Sequence, residues 1–98
     1  MEINIHAIHF TADIKLVEFL KKKLEKLSVF HPKILDTDVY LKLDKAEEHT
    51  NKITEIKLHI PGHTLFAKEQ CDTFEQAADL AIESLRKQVQ KIKEKEAA

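Results

Sequence analysis

A chain of 98 residues has room for one hydrophobic core and no second module, so a single domain spanning residues 1–98 is expected, without the deep cavity of a larger enzyme. The formal net charge of -1 gives no global pull toward a polyanion, and the single cysteine, Cys71, excludes an internal disulfide framework and favours a reducing compartment, the cytoplasm. The start "MEINIHAIHF" lacks the basic and apolar regions of a signal peptide, and no apolar run approaches the ~20 residues of a membrane span, so a soluble protein is expected.

"INIHAIHF" is rich in β-branched residues and reads as a strand with Ile3 and Ile5 on one face and an irregularity before Phe10. The period then changes. In "TADIKLVEFLKKKLEKL" the residues Leu16, Leu20, Leu24 and Leu27 form the stripe of an amphipathic helix, capped by Asp13, whose carboxylate can accept an orphaned backbone N–H. Pro32 disfavours helical geometry at His31 and ends the segment.

A half-buried strand comes next in "ILDTDVYLKLD", with Val39, Leu41 and Leu43 inward. The polar stretch "KAEEHTNK" makes a turn, "ITEIKLHI" alternates again with Ile56, Leu58 and Ile60 inward, and "PGHT" supplies a reversal on Pro61 and Gly62. "LFAKEQC" returns with Leu65, Ala67 and Cys71 on one face, which completes an antiparallel meander. Thr73 and Gln76 have capping-box spacing before the strongest periodic signal in the chain, the apolar face Phe74, Ala78, Ala81, Ile82, Leu85, Val89 and Ile92. The order is β-α-β-β-β-α, an α+β fold with two helices packed on one face of a four-stranded sheet. The other sheet face, with Tyr40, Lys42, Lys57, His59, Phe66 and Lys68, is expected to meet solvent.

Charge is sorted along the chain. Asp36 to Asp79 holds ten acids against five lysines, whereas Ser84 to Lys95 holds five cations and one acid, and Asp13 to Leu27 five lysines and three acids. On the closing helix Lys87, Lys91 and Lys95 share the outer arc while Arg86 and Lys93 flank the apolar stripe, and Glu83 is the one acid placed to pair with Lys87. On the first helix Lys15, Lys22 and Lys26 share a solvent sector, with Lys23 at its apolar border. Two such helices side by side make adjacent basic ridges, the arrangement that phosphate recognition requires. The bland alternative is that these lysines only solubilise the helix exteriors.

The six histidines suggest a metal, but His6 with His9 falls on a strand, where residues three apart point to opposite faces, and His59 with His63 straddles a Pro-Gly reversal. Asp36, Asp38 and Asp44 read as solvated strand ends and Cys71 as a small core residue. No P-loop, dinucleotide fingerprint or G-x-S-x-G occurs, so neither an enzyme nor a cofactor is expected.

The ordered set of elements resembles a known family. "TFEQAADLAIESLRKQVQKIKEK" is similar to the closing helix of the ribosome hibernation promoting factors, also described as ribosome-associated translation inhibitors, at Thr73, Phe74, Ala77, Asp79, Leu85, Gln88, Lys91 and Lys93. "KKLEKL" resembles the family's first helix and "LHIPGHTLFA" its reversal between the third and fourth strands. The resemblance implies a domain that binds rRNA of the small ribosomal subunit in the decoding channel and overlaps the mRNA and tRNA paths in stationary or stressed cells. It implies steric occlusion with no reaction catalysed and no small-molecule substrate. Lys22, Lys23 and Lys26 on the first helix and Arg86, Lys87, Lys91 and Lys93 on the last are the implied rRNA contacts. A monomer off the ribosome and, with the chain stopping at Ala98, a short form without the ribosome-pairing domain are expected. The acidic "DKAEEHTNK" departs from many relatives and is not expected to touch RNA. Two competing readings are a generic double-stranded RNA module and a protein-interaction domain anchored by Tyr40 and Phe66 on the open sheet face.

Overall fold

The computed structural model describes residues 1–97. Six elements occur in the expected order: β1 (Glu2–Ala7), α1 (Ile14–Phe30), β2 (Asp36–Leu43), β3 (Lys52–Ile60), β4 (His63–Cys71) and α2 (Phe74–Ala97). The sheet order is β1-β2-β3-β4. β1 lies parallel to β2, as a strand must when a helix carries the chain back across the sheet, and the other two pairings are antiparallel. Among the described residues, no helix is long and apolar enough to cross a membrane.

Local signals set the boundaries. β1 gives one more hydrogen bond, from Ile8 N–H to the Leu41 carbonyl at 2.9 Å, and His9 then turns the chain out of the sheet with φ 65°. That turn delivers Phe10 onto Phe74, their rings stacked with centroids 5.3 Å apart, so the entry to α1 is clamped to the start of α2. Asp13 Oδ1 accepts from the Lys15 N–H at 2.8 Å and caps α1. Thr73 Oγ1 accepts from the Gln76 N–H at 3.1 Å and caps α2, which is one half of the reciprocal box expected there. Pro61 and Gly62 join β3 to β4 as the two residues between the paired Ile60 and His63, and Gly62 has φ 82°, a left-handed conformation that glycine adopts without strain.

The core lies between the sheet and the helices. Leu20, Leu24, Val39, Leu41, Ile56, Leu58, Ala78, Ala81 and Leu85 are fully buried in one cluster, with Ile3, Ile5, Ile60 and Leu65 packed around it. Most of the expected inward residues are inward, but Cys71, read as a small core residue, is only partly buried at the end of β4 and lies outside the cluster. Leu43 has the right parity but sits at the end of β2, beyond the reach of α2, and is 43% exposed. Thr37 and Thr54 are also buried on this face, and Thr54 Oγ1 satisfies itself by donating to the Phe74 carbonyl at 3.2 Å.

The fully buried Leu85 sits among side chains of both layers, so truncation leaves a cavity that a rigid sheet cannot close. Leu85→Ala is therefore expected to lower the unfolding free energy by about 2–5 kcal/mol, measured by urea denaturation, with the slope of the transition unchanged.

Candidate nucleic-acid interface

Both helices cover the same sheet face and run in the same direction. Phe10 meets Phe74 near their starts, Lys23 meets Asp79 one turn further along α2, and His31, at the C-cap of α1, shares a cleft with Val89, Ile92 and Lys93 near the end of α2. Their outer surfaces therefore form one continuous helical face.

All seven cations singled out in the sequence, Lys22, Lys23, Lys26, Arg86, Lys87, Lys91 and Lys93, are exposed on this face. Two of them are engaged. Lys23 Nζ lies 3.6 Å from Asp79 Oδ1 across the helix pair, and 5.6 Å from the centroid of the Phe19 ring. Arg86 forms a fork on Glu83, Nη2 to Oε1 at 2.7 Å and Nε to Oε2 at 3.1 Å. Arg86 thus takes the acid expected to serve Lys87, because three residues along a helix suit a guanidinium fork on a carboxylate. The hydrogen bonds from Arg86 hold the Glu83 carboxyl below the usual range, and Glu83 in turn raises Arg86. Lys22, Lys26, Lys87, Lys91 and Lys93 form no ion pair among the described residues. They are the charges free to meet phosphate.

The set divides by side. Counting about 100° per residue, Arg86 and Lys93 share the sector of α2 that holds Asp79 and so face α1, while Lys87 and Lys91 point outward. Gln88 fixes that rotation by donating to the Phe66 carbonyl of β4 at 3.2 Å and to Ser84 Oγ at 3.2 Å. Lys33 joins Lys93 around a cleft of about 630 Å³ whose walls include Ile34, Ile60, Val89 and Ile92. It escaped the sequence reading because it lies in a loop, outside either helical period.

A second residue escaped for a different reason. Phe30 ends α1 and is 64% exposed, on the same sector as Lys23 and Lys26. An exposed aromatic between cations gives an unpaired base a surface to stack on. The available signal was its position outside the leucine stripe.

His31 is buried at the inner end of the cleft with Nδ1 unpartnered. Burial, and then the charges of Lys93 and Arg86, lower its pKa from the usual 6.5. Burial, then Glu69 and Asp72, push the Cys71 thiol up, which disfavours the reactive thiolate.

The opposite sheet face is more self-contained. Tyr40 stacks on His6 with centroids 4.9 Å apart and has Lys57 Nζ 5.8 Å from its ring, and Lys42 Nζ lies 2.6 Å from Glu55 Oε2. The acidic turn is tied down by its own polar groups, since Gln70 donates to Asp44 Oδ2 at 3.1 Å and to the Thr50 carbonyl at 2.8 Å, and Thr50 donates to Asp72 at 2.7 Å.

The family described as Sigma 54 modulation protein / S30EA ribosomal protein matches residues 3–97. The chain belongs to this family. A ribosome hibernation promoting factor of Pseudomonas putida is 27% identical over 96 residues, which is 98% of this chain and 90% of that protein. A ribosomal subunit interface protein from Coxiella burnetii superposes with a TM-score of 0.85 at 24% identity, over 95% of this chain and 98% of that one. The N-terminal domain of Thermus thermophilus Protein Y gives 0.80 at 22% identity, over 94% and 99%. These two structures share the fold. The family resemblance read from the closing helix is thus shown across nearly the whole chain of this family member.

His31 yields a pH dependence. Its folded pKa lies below the unfolded value, so the unfolded chain binds the extra proton first and stability falls as pH drops through 6.5 and below. Lys33, Lys93, Arg86 and Glu96 are the charged neighbours along the cleft and beside it. Thermal unfolding between about pH 7.5 and 5.5 is expected to show a smaller fall in Tm for His31→Gln than for the wild type.

Proposed function

We propose that the two-helix face binds rRNA of the small ribosomal subunit in the decoding channel, and that the protein silences ribosomes in stationary or stressed cells by occupying the mRNA and tRNA paths. The observation that carries this reading is the row of exposed, unpaired Lys22, Lys26, Lys87, Lys91 and Lys93 with Phe30 among them, in a chain of this family. The Pseudomonas putida relative, named a ribosome hibernation promoting factor, supports the same direction. Each lysine that neutralises a phosphate releases condensed counterions, and Phe30 offers stacking to a splayed base. Lys23 and Arg86 join by exchanging Asp79 and Glu83 for phosphate, which makes them weaker contributors than the unpaired lysines. The mechanism is steric occlusion, without catalysis, by a cytoplasmic monomer.

A generic duplex-RNA module is less well supported, because the first turn of α2 carries Glu75 and is preceded by Asp72, where such a module would present cations.

The test is co-sedimentation with small subunits across a salt series. Lys87→Glu, Lys91→Glu and Lys93→Glu together are expected to abolish binding with unfolding free energy within about 0.5 kcal/mol of wild type, as exposed positions allow. Changing the same three to Gln should lower the slope of log K against log salt by about two to three, whereas Phe30→Ala should weaken binding with the slope unchanged. Lys57→Glu with Lys68→Glu, on the other face, should bind as wild type. Absence of the protein from every ribosomal fraction of stationary cells overturns the proposal.

A further inference from the structure

The open sheet face gathers metal-ligating groups that the sequence keeps far apart. Asp36 on β2 is registered directly across from His59 on β3, and Asp38 lies two residues along the same face. His59 Nε2 stands 3.5 Å from Asp36 Oδ1 and 3.4 Å from Asp38 Oδ2, and one ligand atom from each of the three residues falls within 4.8 Å of the others. Imidazole nitrogen and carboxylate oxygen bind zinc at about 2.0–2.1 Å, and two ligands on neighbouring corners of a tetrahedron of that size are about 3.4 Å apart. His59 keeps that separation from both carboxylates.

The surroundings orient the ligands. Thr64 Oγ1 lies 3.3 Å from His59 Nδ1, so the ring presents Nε2 to the two aspartates, which is the outer hydrogen bond that metal-bound histidines commonly make. His6 Nε2 lies 3.9 Å from Asp38 Oδ1, the carboxylate oxygen turned away from His59, and the His6 ring is held by its stack on Tyr40. The three ligands sit on paired central strands, so little conformational freedom is lost on closing around an ion. Spacing along the chain argued against a metal because His6 with His9 and His59 with His63 are each unsuited to share one. The cluster here runs across strands and uses neither pair.

We propose that Asp36, Asp38 and His59 form a binding site for a divalent transition-metal cation, with zinc the best-matched ion. One imidazole among carboxylates favours zinc over the all-oxygen shell that magnesium and calcium take. The three side chains leave a fourth position open to solvent, and the ion neutralises the two carboxylates. The site lies on the sheet face away from the basic helices, so it stands or falls independently of rRNA binding.

The experiment is calorimetric titration of chelator-stripped full chain with Zn²⁺, paired with thermal unfolding with and without the ion. The wild type should saturate with one ion per chain and gain thermal stability. His59→Ala, and separately Asp36→Asn with Asp38→Asn, should lose that saturable binding and the Tm gain while far-UV circular dichroism stays unchanged, since these side chains are not in the core. Thr64→Val should weaken binding about tenfold to a hundredfold. His63→Ala and Cys71→Ala should bind as wild type. Absence of saturable binding in the wild type, or wild-type affinity in either ligand variant, overturns the site and leaves the cluster as a histidine–carboxylate contact.

Discussion

Ala77, Ala78 and Ala81 are completely buried, and their small side chains let α2 lie close against β3 and β4 before Leu85 and Val89 fill the wider space further along. This seating decides which charges the molecule can present. α1 and α2 together cover the one apolar face of the sheet, and the rotation of α2 about its axis is fixed by its share of that packing. Once Leu85 and Val89 face the sheet, Lys87 and Lys91 must face solvent and Arg86 and Lys93 must face α1. The placement of these cations is thus a by-product of core geometry, and they need no desolvation to exist.

Placing so many cations on one helix end has a second physical basis. The first turn of α2 carries Glu75, and Asp79 lies within the next turn, whereas the cations begin at Arg86. Acids near the positive end and cations toward the negative end of the helix both complement the macrodipole. The arrangement that presents charge to a polyanion is therefore compatible with helix stability. Cross-helix pairing adds little, since Lys23 and Asp79 are both about half exposed and such pairs contribute on the order of 0–1 kcal/mol. α1 is held mainly by Leu16, Leu20, Leu24 and Leu27 and by the Phe10–Phe74 stack at its entry.

The elements were legible in the sequence because each carried two agreeing signals, a hydrophobic period and a terminator. Asp13 and Pro32 bracket α1, and Pro61-Gly62 separates β3 from β4. Leu43 shows the limit of parity, which says which way a side chain points and not whether anything stands above it. Ala77 shows the converse: it lies at the edge of the apolar sector, outside the residues expected to face inward, and is fully buried. In the candidate site, positions along each helix were legible from the 3.6-residue period, but partners were not. Whether Glu83 serves Arg86 or Lys87 depends on side-chain shape, and the Lys23–Asp79 contact depends on how the two helices are set side by side. Lys33 and Phe30 belong to the surface through the meeting of α1 with the end of α2, which no local pattern encodes.

The same distinction separates the two faces of the molecule. Cations on the helices succeed one another along the chain, so a count of charge by segment finds them. The Asp36, Asp38 and His59 group is assembled by cross-strand register, and the histidine lies on a different strand, far along the chain from both aspartates. A net charge of -1 therefore conceals a polarised surface, with the helical side basic and the turn between β2 and β3 acidic. Near a polyanion such a charge distribution exerts a torque as well as a net force, because the basic helical side is attracted while the turn that holds Asp44, Glu47 and Glu48 is repelled.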